Sequence, residues 1–213
     1  MIFISRKFLW KIFRFLTKNA VFLMKYILKI KLKFENFEIF NQVRDTVGPF
    51  IIACKHQSGV ETVVFSLFFK NFNILAKEEM KKVPLIGSYM KHLGFIFIDR
   101  KSGRKAVETL LEKGEESMRE GRSLLIFPEG SRATFGTRGK YHAGVALLYE
   151  KLKVPIIPVA LNAGAIWQKK SIVKFPGIIT IRVLPPIFPG LRAKEALQKI
   201  EDDIEQACEE LGS

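Results

Sequence analysis

The sequence predicts an α/β fold with a largely parallel sheet flanked by helices, preceded by an N-terminal amphipathic helical segment. Short apolar runs of strand length alternate with segments in which apolar residues recur at helical spacing. Several of the short runs are continuously apolar, as in strands that are buried on both faces of a parallel sheet. Polar clusters follow three of the runs. In such sheets, functional sites lie beyond the carboxyl ends of the strands.

The order of the elements follows from these runs and from the residues that interrupt them. Ser102 is placed to cap a helix that stops at Gly121, and Pro128 ends the strand that follows. The predicted strands are residues 50–54, 72–76, 95–98, 123–127, 156–161 and 178–184. The predicted helices are residues 58–69, 84–92, 102–120 and 142–152, and a final helix with Leu197, Ile200, Ile204, Ala207 and Leu211 on one face.

The composition excludes several classes of protein. Of the 213 residues, 48% are apolar, which is enough for a core and rules out a disordered or collagen-like chain. Cys54 and Cys208 are too few for a disulfide framework or a cysteine zinc site, and the three histidines are too scattered to add a metal centre. We interpret His92 and His142 as structural or exposed. We expect no metal, and a reduced compartment that faces the cytosol.

The basic residues are concentrated at the N-terminus. The net charge is +14, and residues 1–33 contain nine basic residues and no acidic one. On a helix with about 100° per residue, six of the basic residues fall within an arc of about 60°; these are Lys7, Lys11, Arg14, Lys18, Lys25 and Lys29. A basic stripe beside a broad apolar face is typical of a helix in a membrane interface. The sequence thus predicts a membrane anchor over 1–33 and an α/β domain over 34–213.

Three alternatives to a surface helix make different demands on this segment. A spanning helix is disfavoured, since Lys11, Arg14 and Lys18 near mid-bilayer would each cost about 3 kcal/mol. A core-packed helix needs only one apolar face. Separately, a break at residues 17–19 would divide the segment into two shorter helices. Nucleic acid would attract the same basic residues but does not need so much exposed Phe, Leu and Ile. We therefore expect no nucleic-acid partner.

His56 and Glu61 form the first candidate catalytic pair. Both follow the predicted strand 50–54 closely. If His56 precedes the next helix, its ring can fold back to Glu61 in the first turn. The carboxylate then holds one ring nitrogen while the other accepts a proton. Glu61 can instead form a capping box with Ser58, because the two are three residues apart. The sequence leaves both roles of Glu61 open.

Cationic residues and a glycine follow three other predicted strands. Residues 127–132 (Phe-Pro-Glu-Gly-Ser-Arg) offer backbone amides around Gly130 and the Arg132 guanidinium, which together suit an anion. Arg100 supplies a second guanidinium and Lys77 an ammonium group. Because the carboxyl ends of parallel strands share one edge of a sheet, these groups predict an anion cradle beside the base.

Four blocks in this order resemble the glycerolipid acyltransferases typified by bacterial 1-acylglycerol-3-phosphate acyltransferase, the PlsC-type family. His56 with Glu61 resembles the His-x4-Asp motif of that family, and residues 97–100 (Phe-Ile-Asp-Arg) resemble its second motif. Residues 127–132 resemble Phe-Pro-Glu-Gly-Thr-Arg, and residues 154–162 resemble the fourth motif, a strand that contains proline. The resemblance implies a glycerolipid acyltransferase fold.

The resemblance also implies acyl transfer to a lipid hydroxyl. Glu61 stands where the family commonly has Asp, and Ser131 where it has Thr, and each keeps the functional group. In this mechanism His56, oriented by Glu61, removes a proton from the free hydroxyl of 1-acyl-sn-glycerol 3-phosphate. The oxygen then attacks an acyl thioester, giving phosphatidic acid. The family pattern implies that the acceptor is bound by Lys77, Arg100, Glu129, Gly130, Ser131 and Arg132.

The same resemblance implies the partners and the location. Glu129 cannot bind phosphate as an anion, so we expect it to orient Arg132, Arg100 or an acceptor hydroxyl. The co-substrate is acyl-CoA or acyl-ACP (acyl carrier protein), with no cofactor. The expected membrane-lipid partners are the lysophosphatidate acceptor and the surface of an anionic bilayer. The expected location is the cytoplasmic face of the inner membrane, with monotopic or peripheral attachment.

Two alternative functions stay open at the level of sequence. The same chemistry can act on another lysophospholipid or on an ornithine-lipid precursor. A non-catalytic basic protein that binds lipid would need the N-terminal segment but not the pairing of His56 with Glu61. The acyl-chain length, the choice of donor, the depth in the membrane and the oligomeric state are left open by the sequence.

Overall fold

A computed structural model of the chain describes residues 6–68, 71–84, 86–169 and 171–212. Parts of the sequence-based predictions lie outside this description. They include residues 1–5 of the predicted anchor, the Lys7 side chain of its basic stripe, and Phe69 and Leu85 in two predicted helices.

Helices and strands alternate along the chain as predicted. The helices are α1 (Arg6–Tyr26), α2 (Glu38–Val47), α3 (Val60–Phe68), α4 (Ile86–Leu93), α5 (Arg104–Arg119), α6 (Gly144–Leu152), α7 (Ala163–Ile166) and α8 (Ala193–Gly212). The strands are β1 (Ile30–Glu35), β2 (Ile51–Cys54), β3 (Phe72–Lys77), β4 (Ile96–Ile98), β5 (Ser123–Ile126), β6 (Ile156–Leu161) and β7 (Gly177–Val183). Short 3-10 helices cover Glu78–Lys82 and Arg100–Ser102.

In the described residues, the strands form one seven-stranded sheet in the order β1-β7-β6-β2-β5-β3-β4. Neighbouring strands run parallel except β6 and β7, which are antiparallel. The predicted α/β fold with a largely parallel sheet is therefore confirmed. The carboxyl ends of β6, β2, β5, β3 and β4 and the amino ends of β1 and β7 lie along one edge of the sheet. We call it the site edge.

Helices cover both faces of the sheet. In β2, Ile52 and Cys54 point into one core, and Ile51 and Ala53 point into the other. The first core lies beneath α1, α2 and α3, and the second beneath α5, α6 and α8. A strand that is buried on both faces must be apolar at every position. This is why the central strands are continuous apolar runs in the sequence.

Strand β1 corrects the predicted domain boundary. It pairs in parallel with β7, from Ile30 opposite Gly177 to Glu35 opposite Arg182. The boundary predicted after residue 33 therefore falls inside a strand, and residues 30–33 belong to the sheet and not to the helical segment. Two exposed lysines in β1 extend the acid-free basic segment into the strand. They obscure the alternation of apolar and polar residues that is typical of a strand. Helix α2 was also not predicted.

Helix α1 is continuous, so the alternative of a break at residues 17–19 is wrong. The Thr17 hydroxyl donates to the Arg14 carbonyl at 3.0 Å, and the Asn19 amide donates to the Phe15 carbonyl at 2.8 Å. Both polar side chains are thus satisfied by the helix itself, and neither needs to leave it.

Helix α1 has two apolar faces with different surroundings. On one face, the Trp10 ring lies 6.0 Å from the Phe72 ring and the Phe13 ring lies 5.9 Å from the Tyr89 ring. The other face, which we call the α1 outer face, is exposed and carries Phe8, Ile12, Phe15, Leu16, Phe22, Leu23 and Tyr26. The core-packed alternative thus describes one face only. Among the described residues, no helix is both long and apolar enough to cross a membrane.

Candidate active site

The site edge brings together residues that are far apart in the sequence. His56 follows β2, and the turn of residues 127–132 follows β5. Lys77 ends β3, and Arg100 follows β4. Because β2, β5, β3 and β4 are consecutive neighbours in the sheet, these residues stand side by side. The predicted clusters therefore share one place in the fold.

His56 is anchored through both its backbone and its ring. Its backbone N–H donates to Glu129 Oε2 at 3.0 Å, and its carbonyl accepts from the Ala133 N–H at 2.7 Å. The imidazole stacks on the Phe127 ring, with 4.0 Å between centroids and 21° between planes. The side chain keeps 18% of its surface exposed. The ring is thus held in place and still open to a substrate.

Glu61 combines the two roles that the sequence left open, capping the helix and facing His56. Its Oε1 accepts the backbone N–H groups of Gln57 and Ser58, each at 2.7 Å, and so caps the start of α3. Its Oε2 faces Nδ1 of His56 at 3.9 Å. This separation is longer than a hydrogen bond. The pair is therefore juxtaposed, and the helix turn that Glu61 caps also holds its carboxylate next to the imidazole.

The turn after β5 draws Arg100 into the site. The Gly130 N–H donates to the Phe127 carbonyl at 2.9 Å, with Pro128 at the second position of the turn. Gly130 has a φ of +67°, and a Cβ at this position would collide with the Arg100 guanidinium. The positive φ thus favours glycine at this position, and the lack of a Cβ leaves room for the Arg100 guanidinium. The Arg100 guanidinium donates to the Gly130 carbonyl.

Burial and the surrounding cations set the protonation state of His56. Burial lowers the pKa of His56 to about 4, assisted by the positive charges of Arg132, Arg100, Lys77 and Lys169. The imidazole is consequently neutral at pH 7 and can accept a proton. The four cationic side chains are exposed, so an anion from solution can reach them. Three of them were predicted to form the anion cradle.

The pKa of Glu61 is shifted in the opposite direction to that of His56. Complete burial raises its pKa to about 7, although the N–H groups of Gln57 and Ser58 oppose this change. A base and a carboxyl whose environments push their pKa values in opposite directions are typical of acid–base sites.

The structure excludes two of the three groups that Glu129 was expected to orient. Its carboxylate does not orient Arg100 or Arg132 but binds the His56 amide through Oε2 and lies 2.8 Å from Lys55 Nζ through Oε1. Glu129 and Lys55 are both buried, whereas the two arginines are exposed to water. A buried carboxylate is stabilised most by a buried cation, since each would otherwise be desolvated without compensation.

Lys55 and Glu205 connect the site to α8, and sequence reasoning missed both. Lys55 Nζ lies 2.6 Å from Glu205 Oε1, and both residues are buried. Burial opposes the charge of Lys55, but its hydrogen bonds to Glu129 and Glu205 outweigh this effect and raise its pKa. A lysine directly after a buried strand was the available signal. Glu205 carries none, because it is 150 residues away from Lys55 in the sequence.

Lys169 is a further cation that sequence reasoning missed. It lies between α7 and β7, and its Nζ donates to the Arg132 carbonyl at 2.6 Å. Because β7 runs antiparallel to β6, this connection returns along the site edge. The direction of β7 cannot be deduced from the residues of the connection itself.

An apolar cavity of about 230 Å³ adjoins the site on the side of α5 and α6. Its apolar walls include Leu75, Ile98, Val107, Leu110, Ile126 and Val145. Arg100, Gly130 and His142 line it as well. His142 is exposed, as expected, but it also borders the site, which was not predicted. The cavity suits an alkyl chain whose polar end lies near Arg100.

The arrangement as a whole supports proton removal beside a bound anion. A neutral imidazole next to a carboxylate can accept a proton from a hydroxyl group. Guanidinium and ammonium groups can hold a phosphate nearby. In the part of the chain that the structure describes, no group of His, Cys, Asp and Glu side chains is arranged to hold a metal ion.

Comparison with known proteins identifies the family. The model of the acyltransferase family matches residues 31–162, which is more than half of the chain. The chain belongs to the acyltransferase family. The predicted enzyme class and the predicted family resemblance are therefore confirmed.

Two relatives of this acyltransferase carry the name 1-acyl-sn-glycerol-3-phosphate acyltransferase. The protein from Pseudomonas aeruginosa is 30% identical over 197 residues, covering 91% of this chain and 75% of the relative. The protein from Saccharomyces cerevisiae is 30% identical over 173 residues, covering 77% of this chain and 57% of the relative. The chain thus spans three quarters of one relative and little more than half of the other.

A solved structure shares the fold of this acyltransferase. The crystal structure of the 1-acyl-sn-glycerophosphate acyltransferase PlsC from Thermotoga maritima superimposes with a TM-score of 0.77 at 23% identity. The match covers 98% of this chain and 81% of the other. The similarity extends over the sheet and its flanking helices.

The buried Lys55 predicts a large effect on stability. Lys55→Met leaves the Glu129 and Glu205 carboxylates buried without their cation, so the free energy of unfolding in urea should fall by about 3–5 kcal/mol. The matched control is Lys151→Met, since Lys151 is exposed and 3.5 Å from Glu115. The control should change the free energy by less than about 1 kcal/mol. Equal losses in the two variants would contradict the proposed burial effect.

The cation cluster predicts the direction of a pKa change. Arg132→Gln removes a positive charge that disfavours the imidazolium, so the pKa of His56 should rise from about 4. NMR titration of labelled histidine measures this shift directly. Arg192→Gln, which changes an exposed residue at the start of α8, is the control and should leave the His56 titration in place. A fall in the His56 pKa of the Arg132 variant would be inconsistent with the described field.

Proposed function

We propose that this acyltransferase transfers an acyl group from an acyl thioester to the free hydroxyl of 1-acyl-sn-glycerol 3-phosphate, giving phosphatidic acid. The observation that carries the proposal is a neutral His56, backed by Glu61, beside exposed cations at one edge of the sheet. The names of the Pseudomonas aeruginosa and Saccharomyces cerevisiae relatives support the same acceptor. The phosphate of this acceptor has the charge that the cations require.

In the proposed reaction, the acceptor hydroxyl lies against Nε2 of His56. As its oxygen forms a bond to the thioester carbon, His56 takes up the hydroxyl proton. Collapse of the tetrahedral intermediate breaks the carbon–sulfur bond, and the imidazolium gives its proton to the departing thiolate. Glu61 stabilises the imidazolium through Nδ1 when the 3.9 Å separation closes to a hydrogen bond. Such a base contributes about 10²–10⁴-fold to the rate.

The acceptor phosphate has a second role in this proposal. The cations that would hold it are the charges that lower the pKa of His56. A bound phosphate offsets their field, so the imidazole becomes a stronger base once the acceptor is in place. The acid limb of the pH profile should accordingly lie at higher pH for kcat, which reports the complex, than for kcat/KM, which reports the free enzyme.

Arg100 and the residues of the β5 turn have different proposed roles in acceptor binding. Arg132 and Arg100 are proposed to bind the phosphate, and exposed Ser131 offers a hydroxyl beside them. The Gly130 amide is already bonded to Phe127, so Gly130 contributes by admitting Arg100. Glu129 acts as a positioning residue through the His56 amide.

The donor is proposed to be acyl-CoA or acyl-ACP, with no cofactor besides this co-substrate. The apolar cavity beside Arg100 offers room for part of an acyl chain. Its walls are apolar side chains from both the sheet and helices α5 and α6, so a chain bound there leaves water.

We also propose that the α1 outer face holds the enzyme on the cytoplasmic face of the membrane in a peripheral or monotopic manner. The face is apolar and exposed, and the lysines Lys11, Lys18 and Lys25 are exposed along the same helix. Apolar burial together with attraction to anionic lipid suits the bilayer interface. The free cysteines Cys54 and Cys208 are compatible with a reducing compartment.

Replacement of the base tests the proposed reaction. His56→Ala should lower the transfer of labelled acyl groups to lysophosphatidate by at least about 100-fold, because proton removal is lost. Glu61→Gln should lower it less, since the base remains. The matched control is His92→Ala, an exposed histidine whose ring contacts the Ser88 carbonyl. A panel of lysophospholipids and an ornithine-lipid precursor tests the acceptor, and full activity of the His56 variant would refute the mechanism.

Substitutions on the α1 outer face test the attachment. Phe15→Gln, Leu16→Gln, Phe22→Gln and Leu23→Gln together keep good helix formers but remove apolar area, so partition to anionic vesicles should fall roughly tenfold or more. Sedimentation with vesicles measures the partition. The control variant Val47→Ser/Phe188→Ser alters exposed apolar side chains elsewhere and should sediment like the wild type. Equal sedimentation of all three proteins would exclude α1 as the attachment.

A further inference from the structure

A second exposed apolar surface lies beside the active site. Ile172 is 97% exposed, and Val173, Phe175 and Ile178 are about half exposed. Single apolar residues are common on protein surfaces, but a contiguous group of large ones indicates a contact with another phase or molecule. Three of the four belong to residues 171–176, which we call the apolar loop. The fourth lies near the start of β7.

The apolar loop turns its polar groups inward. The Ser171 hydroxyl donates to the Val173 carbonyl at 3.0 Å. The Lys174 ammonium donates to the Ser171 carbonyl and lies 5.0 Å from the centroid of the Trp167 ring. The lysine is therefore folded back on the loop, and the apolar side chains point outward. The exposure of these side chains is thus built into the loop by its own hydrogen bonds.

The chain that leads into the loop is bonded to both sides of the active site. The Gly164 N–H donates to Gln57 Oε1 at 2.8 Å, and Gln57 is the neighbour of His56. Lys169 Nζ donates to the Arg132 carbonyl at 2.6 Å. A surface that engages the apolar loop is therefore brought next to the base and to the proposed phosphate site.

The charge around the loop favours an anionic surface. The two longest acid-free stretches of the sequence are residues 1–34 and 151–194. They meet where the Gly177 N–H donates to the Lys29 carbonyl at 3.2 Å. Lys29, Lys31 and Lys169 are exposed in this region. The exposed lysines of this region would attract an anionic surface.

We infer that the apolar loop inserts into an anionic bilayer as a second membrane contact, beside the active site and separate from α1. Nucleic acid would use the lysines but gain nothing from Ile172 and Phe175. Anionic headgroups above hydrocarbon match both the charges and the apolar side chains. The inference rests on the proposed lipid acceptor and adds the side from which the acceptor reaches His56.

Depth-dependent quenching tests insertion directly. Ile172→Cys in a Cys208→Ala background carries a bimane label, and the control is Val47→Cys, which lies at the opposite edge of the sheet, just before β2. Vesicles of phosphatidylglycerol and phosphatidylcholine with brominated acyl chains should quench the label at position 172 and not at position 47. No quenching at 172 in protein that sediments fully with the vesicles would overturn the inference.

A loop variant tests the energetic contribution. Ile172→Ser/Val173→Ser/Phe175→Ser should lower the partition to these vesicles by roughly tenfold or more, since it removes the apolar area that would be buried. Val47→Ser/Phe188→Ser is the matched control, because both side chains are exposed and lie at the edge opposite the site. Circular dichroism melting must agree among the three proteins. Wild-type partition of the loop variant would contradict insertion.

The outcomes separate this inference from the proposed function. Quenching at position 172 without acylation of lysophosphatidate supports the loop contact and refutes the proposed acceptor. Acylation without quenching supports the acceptor and overturns the loop contact. If heparin, a soluble polyanion, changes the label at 172 as strongly as the vesicles do, the surface is a general anion site, and the bilayer inference is wrong.

Discussion

The active site depends on the bridge that Glu129 makes between two central strands. One carboxylate oxygen holds the amide of His56 after β2, and the other meets the buried ammonium of Lys55. The backbone of the β5 turn is thereby tied to the backbone that carries the base. Glu205 also binds the Lys55 ammonium. The C-terminal helix therefore helps to position His56, although the two are far apart in the sequence. A charge network of this kind is stable only when all of its members are present.

Around this bridge, burial and charge have opposite effects on the two acid–base groups. The pKa of His56 is lowered because the imidazole is buried among cations. The pKa of Glu61 is raised to about 7 because the carboxyl group is fully buried. A phosphate would relieve the repulsion that the imidazolium meets, which links acceptor binding to base strength. In the proposed function, the same exposed cations therefore serve both phosphate recognition and reactivity.

The two apolar surfaces of the molecule follow from its topology. The acid-free N-terminal segment enters the sheet as β1, next to β7, and β7 begins directly after the apolar loop. The α1 outer face and the apolar loop are thus joined through one pair of strands. The antiparallel turn between β6 and β7 carries the loop to the site edge, where His56 and Arg132 lie.

The sequence by itself determined the alternation of strands and helices and the closeness of His56 to Glu61, but it left the role of Glu61 open. Both features are local, since apolar runs specify strands and the two residues are five positions apart at the start of one helix. Only the tertiary structure decided the partner of Glu129, the roles of Glu205 and Lys169, and the membership of residues 30–33 in the sheet. These contacts depend on strand order and on the direction of β7, which join residues up to 150 positions apart. A buried charge selects its partner by proximity in space, and local sequence does not encode that proximity.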